Sequence, residues 1–204
     1  MTMETAISVL VGIGLSAACG FRVFVPLLAV SMASHTGHLS LSSGFEWMGS
    51  NAALVAFGMA TVLEVAGYYV PWVDNVLDGL AGPAAVVAGT LVTASLVTEM
   101  GPFLRWTLAV IAGGGAAGLV QGTTSLARGA STLSTGGLTN PLLATVELGG
   151  SVITSLMAIL LPGLALLFVV VLVGWWCLRQ RRRARADLIR RNSLRLSQVS
   201  RPTN

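Results

Sequence analysis

The strongest constraint on this chain is a succession of long apolar runs with almost no charge inside them. The runs cover residues 5–33, 51–71, 83–98, 103–127 and 141–177. A helix needs roughly 20 predominantly apolar residues to cross the hydrocarbon core of a bilayer, since each residue advances it by only about 1.5 Å. Charged residues make up 10% of the 204 positions, against about 25% in a soluble globular domain. A soluble chain needs that charge to cover its surface. Here lipid is expected to cover it, and the length suits one membrane domain.

The runs predict an all-α fold: a polytopic transmembrane helical bundle of about five spans. Run 5–33 reads as one span interrupted by Arg22 and Pro26. The Ser- and Gly-rich stretch from His35 to Ser50 and the short polar stretch 72–82 read as connecting segments. The run 83–98 is short for a full span and leaves room for a re-entrant helix, and Gly101-Pro102 marks a turn. The run 103–127 carries Gly113-Gly114-Gly115 and Gly118. Small residues at this density let helices approach closely in lipid, either within the chain or against a second copy, so a homo-oligomer is one expected partner. Arg128 stands just past this run, and 129–139 reads as a loop. The last run is too long for one straight span. It is expected to kink at Pro162, or to break into a short segment over 141–151 and a span over 152–177.

Charge divides the chain into two parts. All twelve basic residues are Arg; nine of them, with one Asp, lie in 179–204, giving that segment +8. Residues 1–178 hold three Arg and seven acids, or −4. The expected domains are therefore a transmembrane helical domain over 1–178 and a basic, disordered tail over 179–204. The Arg cluster directly after Trp175-Trp176 fits the positive-inside rule, so the C-terminus is expected in the cytoplasm. With five spans the N-terminus then lies on the opposite face, and 34–50 and 99–105 on the cytoplasmic one. Arg105 fits that placement and Arg128 does not. The tail is expected to attract anionic lipid headgroups, at about 1 kcal/mol per basic residue near the surface. No nucleic-acid partner is expected, because the positive charge is not a property of the body. Cys19 and Cys177 read as small buried hydrophobes. The start, Met1-Thr2-Met3-Glu4, has no basic region, so no cleaved leader is expected.

Ionisable residues at membrane depth cost about 2.5–3.5 kcal/mol each on insertion scales, and they persist when they pair or line a wet cavity. Three stand at depth: Arg22, Glu64 and Glu147. Arg22 precedes Pro26 by four residues, and the proline removes a helix hydrogen bond to the Arg22 carbonyl. That suits the wall of a polar cavity, and it equally suits a structural ion pair with Glu64 or Glu147. Glu64, Tyr68, Pro71, Asp74 or Asn75, and Asp78 share one helical stripe if a helix runs through Pro71. Thr139 or Asn140 is placed to cap a helix beginning at Pro141. The candidate substrate- or ion-binding residues are therefore Arg22, Glu64, Tyr68, Asp74, Asn75, Asp78, Asn140 and Glu147. The stretch 60–67 weakly resembles 144–150, which hints at an inverted repeat of the kind found in transporters. His35 and His38 have no acid or cysteine near them in sequence, and Gly12-Ile13-Gly14 follows no strand. Neither a metal site, a cofactor site nor a catalytic set is expected, and the chain is not expected to be an enzyme.

Three motifs carry a resemblance: Gly20-Phe21-Arg22 with Pro26; Glu64 with Val70-Pro71-Trp72-Val73-Asp74-Asn75 and Asp78; and Gly136-Gly137 with Asn140-Pro141 and Glu147. Together they resemble the bacterial integral membrane proteins grouped as domain of unknown function 4126, over roughly residues 5–172. The resemblance implies a bacterial inner (plasma) membrane protein and supplies no activity. Two functions fit these residues. One is a small-solute or ion transporter or channel with an intramembrane Arg/Glu site. The other is a non-transporting membrane scaffold or envelope-maintenance protein whose buried charges are structural ion pairs.

Overall fold

Gly20, Arg22 and Pro26 divide the first apolar run into two half-helices. In the computed structural model of the protein, α1 spans Met3–Cys19 and α2 spans Phe24–His35. Residues 2–162 and Val171 are described, with Pro71, Trp72 and Asn75 described in the backbone alone. The rest of the fifth run, Trp175-Trp176, Cys177 and the tail over 179–204 lie outside the described residues. The described helices all belong to the unit formed by Met1–Val169.

Pro26 falls in the first turn of α2, where a missing N–H leaves no intrahelical bond unmade. The chain thus stops and restarts where a kink would otherwise be read. At about 1.5 Å per residue α1 is roughly 25 Å long and α2 roughly 18 Å, so neither alone crosses a core of about 30 Å. Their outer ends lie together. Thr2 donates its hydroxyl to Glu99 at 2.5 Å and Thr5 donates to the same oxygen, which holds the Glu99 carboxyl below the usual carboxylate range. His38 and Glu4 line one cavity with Glu99, and the Ser42 N–H donates to the Ser95 carbonyl at 2.7 Å. The pair is a hairpin whose tip, residues 20–23, points into the bundle. This corrects the reading of 5–33 as one span, and the placement of the chain's start on the face opposite 34–50.

After a short turn at Glu46–Gly49, α3 runs over Asn51–Gly67, capped by the Ser50 hydroxyl accepting from the Ala53 N–H at 3.2 Å. Its successor α4 runs over Pro71–Leu96, with Pro71 in the first turn, Asp74 beside it and Pro83 inside the helix. The polar stretch 72–82 is therefore helix and no connecting segment. A proline and an acid both suit a helix N-terminus, and Asp74 finds its partner inside the protein instead of in water.

Next, α5 (Pro102–Leu108), a π-helical turn (Ala109–Gly114) and α6 (Gly115–Thr135) follow one another without a break. The loop expected over 129–139 shrinks to four residues, with Gly136 and Gly137 at φ +65° and +86°, a left-handed backbone that favours glycine. The last described helix, α7, spans Asn140–Leu160 and passes Glu147 and Gly149-Gly150 unbroken. It ends before Pro162, and no short segment over 141–151 forms. Among the described residues, three helices are long and apolar enough to cross a membrane: Val76–Leu96, Pro102–Thr135 and Asn140–Leu160. No strand occurs among the described residues.

The centre of the bundle is a close crossing of α1, α4 and the helix 102–135. Ser16 donates to the Gly89 carbonyl at 2.6 Å and pairs with Thr93 at 2.8 Å. A Cβ on Gly89 would stand 2.6 Å from the Ala117 methyl, so only glycine permits the approach. Gly113 and Gly114 likewise pack against α4 within the chain, whereas Gly115 and Gly122 face open space. Leu15, Cys19, Val92 and Ala117 fill the core around the crossing. On the other side of α1 lies α7, with Ser151 donating to the Ala18 carbonyl at 3.1 Å and Phe21 against Gly150.

Candidate functional site

Restarting a helix at Phe24 leaves backbone N–H groups at the hairpin tip without helical partners. Glu64, in the last turn of α3, takes two of them: Val23 donates to its Oε1 at 2.8 Å and Phe24 to its Oε2 at 3.0 Å. A carboxylate at a helix N-terminus is favoured by the helix dipole as well as by the two hydrogen bonds. Glu64 is therefore the cap of α2, and the pairing left open between Arg22 and either glutamate resolves toward Glu147.

Arg22 is 2% exposed. Its Nη2 donates to the Ala144 carbonyl at 2.9 Å and lies 3.5 Å from Glu147 Oε2. The guanidinium carbon sits 3.6 Å from the centroid of the Tyr68 ring, a cation–π distance. Its Nε and Nη1 are buried and have no hydrogen-bond partner among the described residues.

The hub of the site is a residue outside the expected set. Arg128 projects from α6 and is 4% exposed. Nε donates to Glu147 Oε1 at 2.8 Å and Nη2 to Oε2 at 2.5 Å, while Nη1 donates to Asp74 Oδ1 at 2.7 Å. Asp78, one turn further along α4, places Oδ1 3.3 Å from the same Nη1 and keeps 31% of its side chain exposed. The Arg128 guanidinium carbon is 4.5 Å from the Tyr68 centroid. Arg128 is thus a partner for three acids and no marker of a membrane face, because α6 continues about two turns beyond it.

Asn140 is buried at the start of α7. Its amide nitrogen reaches Asp74 Oδ2 at 3.5 Å, and its oxygen accepts from Ser131 at 2.8 Å. Asn140 opens the helix in place of capping it, and Thr139 makes no side-chain cap. Of the eight expected residues, Arg22, Glu64, Tyr68, Asp74, Asp78, Asn140 and Glu147 form one cluster. The helix carrying the stripe from Glu64 to Asp78 does not run through Pro71, since Val70 is extended at φ −107°, ψ 111°. The stripe still converges, because the end of α3 and the start of α4 meet at Tyr68. The Asn75 side chain lies outside the described residues.

Four carboxylates (Glu64, Asp74, Asp78, Glu147) thus face two guanidiniums. A cavity of about 190 Å³ lined by Tyr68, Tyr69, Asp74, Thr132, Gly136, Gly137, Asn140 and Pro141 leads to the cluster from the α6–α7 turn. The family model described as domain of unknown function (DUF4126) matches residues 9–182. The chain belongs to this family. The DUF4126 match runs from within α1 through α7, so every residue of the cluster lies inside it. No curated protein and no solved structure matches the chain.

Arg128 has a signal in the sequence. Gln121, Ser125, Arg128, Ser131 or Thr132, and Thr135 recur at helical spacing, a polar stripe on a helix otherwise suited to lipid. Gln121, Arg128 and Ser131 are buried, as that stripe requires.

Proposed function

We propose that this protein is a multi-pass membrane protein that moves a small cation or small polar solute across the bilayer through the Arg22–Arg128 cluster. The observation that carries the reading is a cluster in which four carboxylates face two guanidiniums, reached by a cavity with a polar rim that touches it at Tyr68, Asp74 and Asn140. Charge at membrane depth is retained where it serves a path or a pair. Two arginines neutralise two of the four carboxylates, the N-terminus of α2 offsets part of the charge on Glu64, and the remaining charge is left to a proton or a cation. The break between α1 and α2 adds to this reading, since interrupted helices and freed backbone groups are how transporters build midplane sites. The reading assigns no covalent chemistry to the site. In it the membrane is a bacterial inner membrane, and the Arg-rich tail lies on the cytoplasmic face against anionic headgroups.

The test is flux in proteoliposomes carrying a trapped pH-sensitive dye, with proton and potassium gradients as the probes. Wild-type protein is expected to conduct above empty liposomes, and folded Glu64→Gln and Arg22→Ala variants are expected to lose that flux. Unchanged flux in both variants, or none in the wild type, overturns the reading.

A second reading is favoured by one observation, the paired contact of Arg128 with Glu147 backed by Asp74. That is the geometry of a structural tie, and it fits a scaffold or envelope-maintenance protein. It predicts no flux in any form of the protein and a phenotype that follows fold stability alone.

A further inference from the structure

Both walls of a second cavity come from α3 and α4. The two helices touch where Val73 and Leu77 pack onto Gly67 and separate from there toward Ala60 and Ala84. The groove between them holds about 660 Å³, within the roughly 300–1,000 Å³ usual for small-molecule sites. Its sides are apolar, including Leu63, Val73, Leu77 and Leu80. Leu63 and Leu80 are 69% and 62% exposed, so the groove opens sideways, where lipid would lie. At its inner wall stand Val23, Phe24, Glu64 and Tyr68.

Glu64 is the carboxylate of the cluster that meets no guanidinium among the described residues, since its partners are the Val23 and Phe24 N–H groups. It is also the acid that lines this groove. Tyr68 lines both the groove and the smaller cavity at the α6–α7 turn, and so separates a lipid-facing opening from a polar one.

We propose that the groove binds a lipophilic cation: an amphiphile with an apolar body and a single ammonium- or phosphonium-type head. The body lies between α3 and α4, and the head lies at Glu64 beside the Tyr68 ring. Apolar walls hold the body by close packing, since lipid beside the groove is itself apolar and adds no hydrophobic gain. The cluster's two-acid excess favours a positive head over a negative or neutral one. A ring face next to the carboxylate is a further attraction for a weakly hydrated cation. The proposal goes beyond the transport reading and shares with it only the acid excess of the cluster; the binding step stands on the groove itself.

The experiment is equilibrium binding of tetraphenylphosphonium to the purified full-length protein in lipid nanodiscs, with tetraphenylborate as the oppositely charged control of similar shape. Saturable binding of the cation above that to protein-free nanodiscs, and no such protein-dependent binding of the anion, is expected. Glu64→Gln is expected to weaken cation binding at least tenfold. Ala84→Phe, which fills the groove and leaves the bonds from Glu64 to α2 in place, is expected to do the same, and it decides the matter if Glu64→Gln does not fold. Equal retention of the two ions, no binding by the wild type, or full binding in Ala84→Phe overturns the proposal. So does a dimer that Ala84→Phe dissociates, which would make the groove a contact between copies. Proton or potassium flux without tetraphenylphosphonium binding removes this inference and leaves the transport reading standing; binding without flux does the reverse.

Discussion

Arg128 holds Glu147 through two parallel hydrogen bonds, Nε to Oε1 at 2.8 Å and Nη2 to Oε2 at 2.5 Å. The same guanidinium donates to Asp74. One side chain from α6 thereby fixes α7 and α4 around the tip of the α1–α2 hairpin. Breaking a buried pair from one side strands the other charge and typically costs about 3–5 kcal/mol. Arg128→Met is expected to lose stability on that scale, read as a lowered thermal midpoint in detergent. Arg128→Lys should fall between wild type and Arg128→Met, because an ammonium cannot reproduce the two-pronged contact. A midpoint for Arg128→Met equal to wild type would remove Arg128 from the centre of the site.

Glu64 bonds the backbone of α2 through both carboxylate oxygens. Glu64→Leu leaves the part-buried Val23 and Phe24 N–H groups without acceptors, at up to about 1–3 kcal/mol each. Hydrogen exchange at those two amides is expected to speed up markedly in Glu64→Leu and modestly in Glu64→Gln, whose remaining oxygen still accepts one bond. Equal protection in all three proteins would mean that α2 is held by packing alone.

Gly89 tests the helix crossing. A side chain at this position meets the Ala117 methyl, the Gly113 carbonyl and the Ser16 Cβ. Overpacking of this kind costs about 1–3 kcal/mol or more, so Gly89→Val is expected to lower both the thermal midpoint and the yield of folded protein. Gly122→Ala, with open space around it, should leave both unchanged.

The hairpin makes a prediction about sidedness. In a background with Cys19 and Cys177 replaced by Ala, Glu4→Cys and Ser40→Cys are expected to react with a membrane-impermeant thiol reagent from the same side. Reaction from opposite sides would restore the reading of residues 5–33 as one span.

Much of the site is legible in the sequence. Arg22, Glu64 and Glu147 stand out because charge inside an apolar run demands a reason, and Asn140 stands out beside Pro141. The direction of the chain is less legible. Hydropathy reports that 5–33 is apolar, but it does not report that the chain reverses at residues 20–23. That reversal depends on Gly20 approaching α6, where a Cβ would lie 2.5 Å from the Ala117 carbonyl, a contact between residues nearly a hundred positions apart. The polar stretch 72–82 misleads for a related reason. Asp74 reads as a loop residue until Arg128 is known to be its partner. Arg128 itself reads as the end of an apolar run, although its spacing from Gln121 and Ser131 already puts it on a buried polar face.

Transport through the charged cluster requires water to reach it by way of the cavity at the α6–α7 turn, because a dry, sealed cluster would be a structural tie and nothing more. The direct measurement is the reactivity of Asn140→Cys, in the background without Cys19 and Cys177, toward a membrane-impermeant thiol reagent in intact oriented vesicles. Transport predicts reaction from one side only, slowed when potassium occupies the site. Reaction only after the vesicles are dissolved in detergent would contradict it.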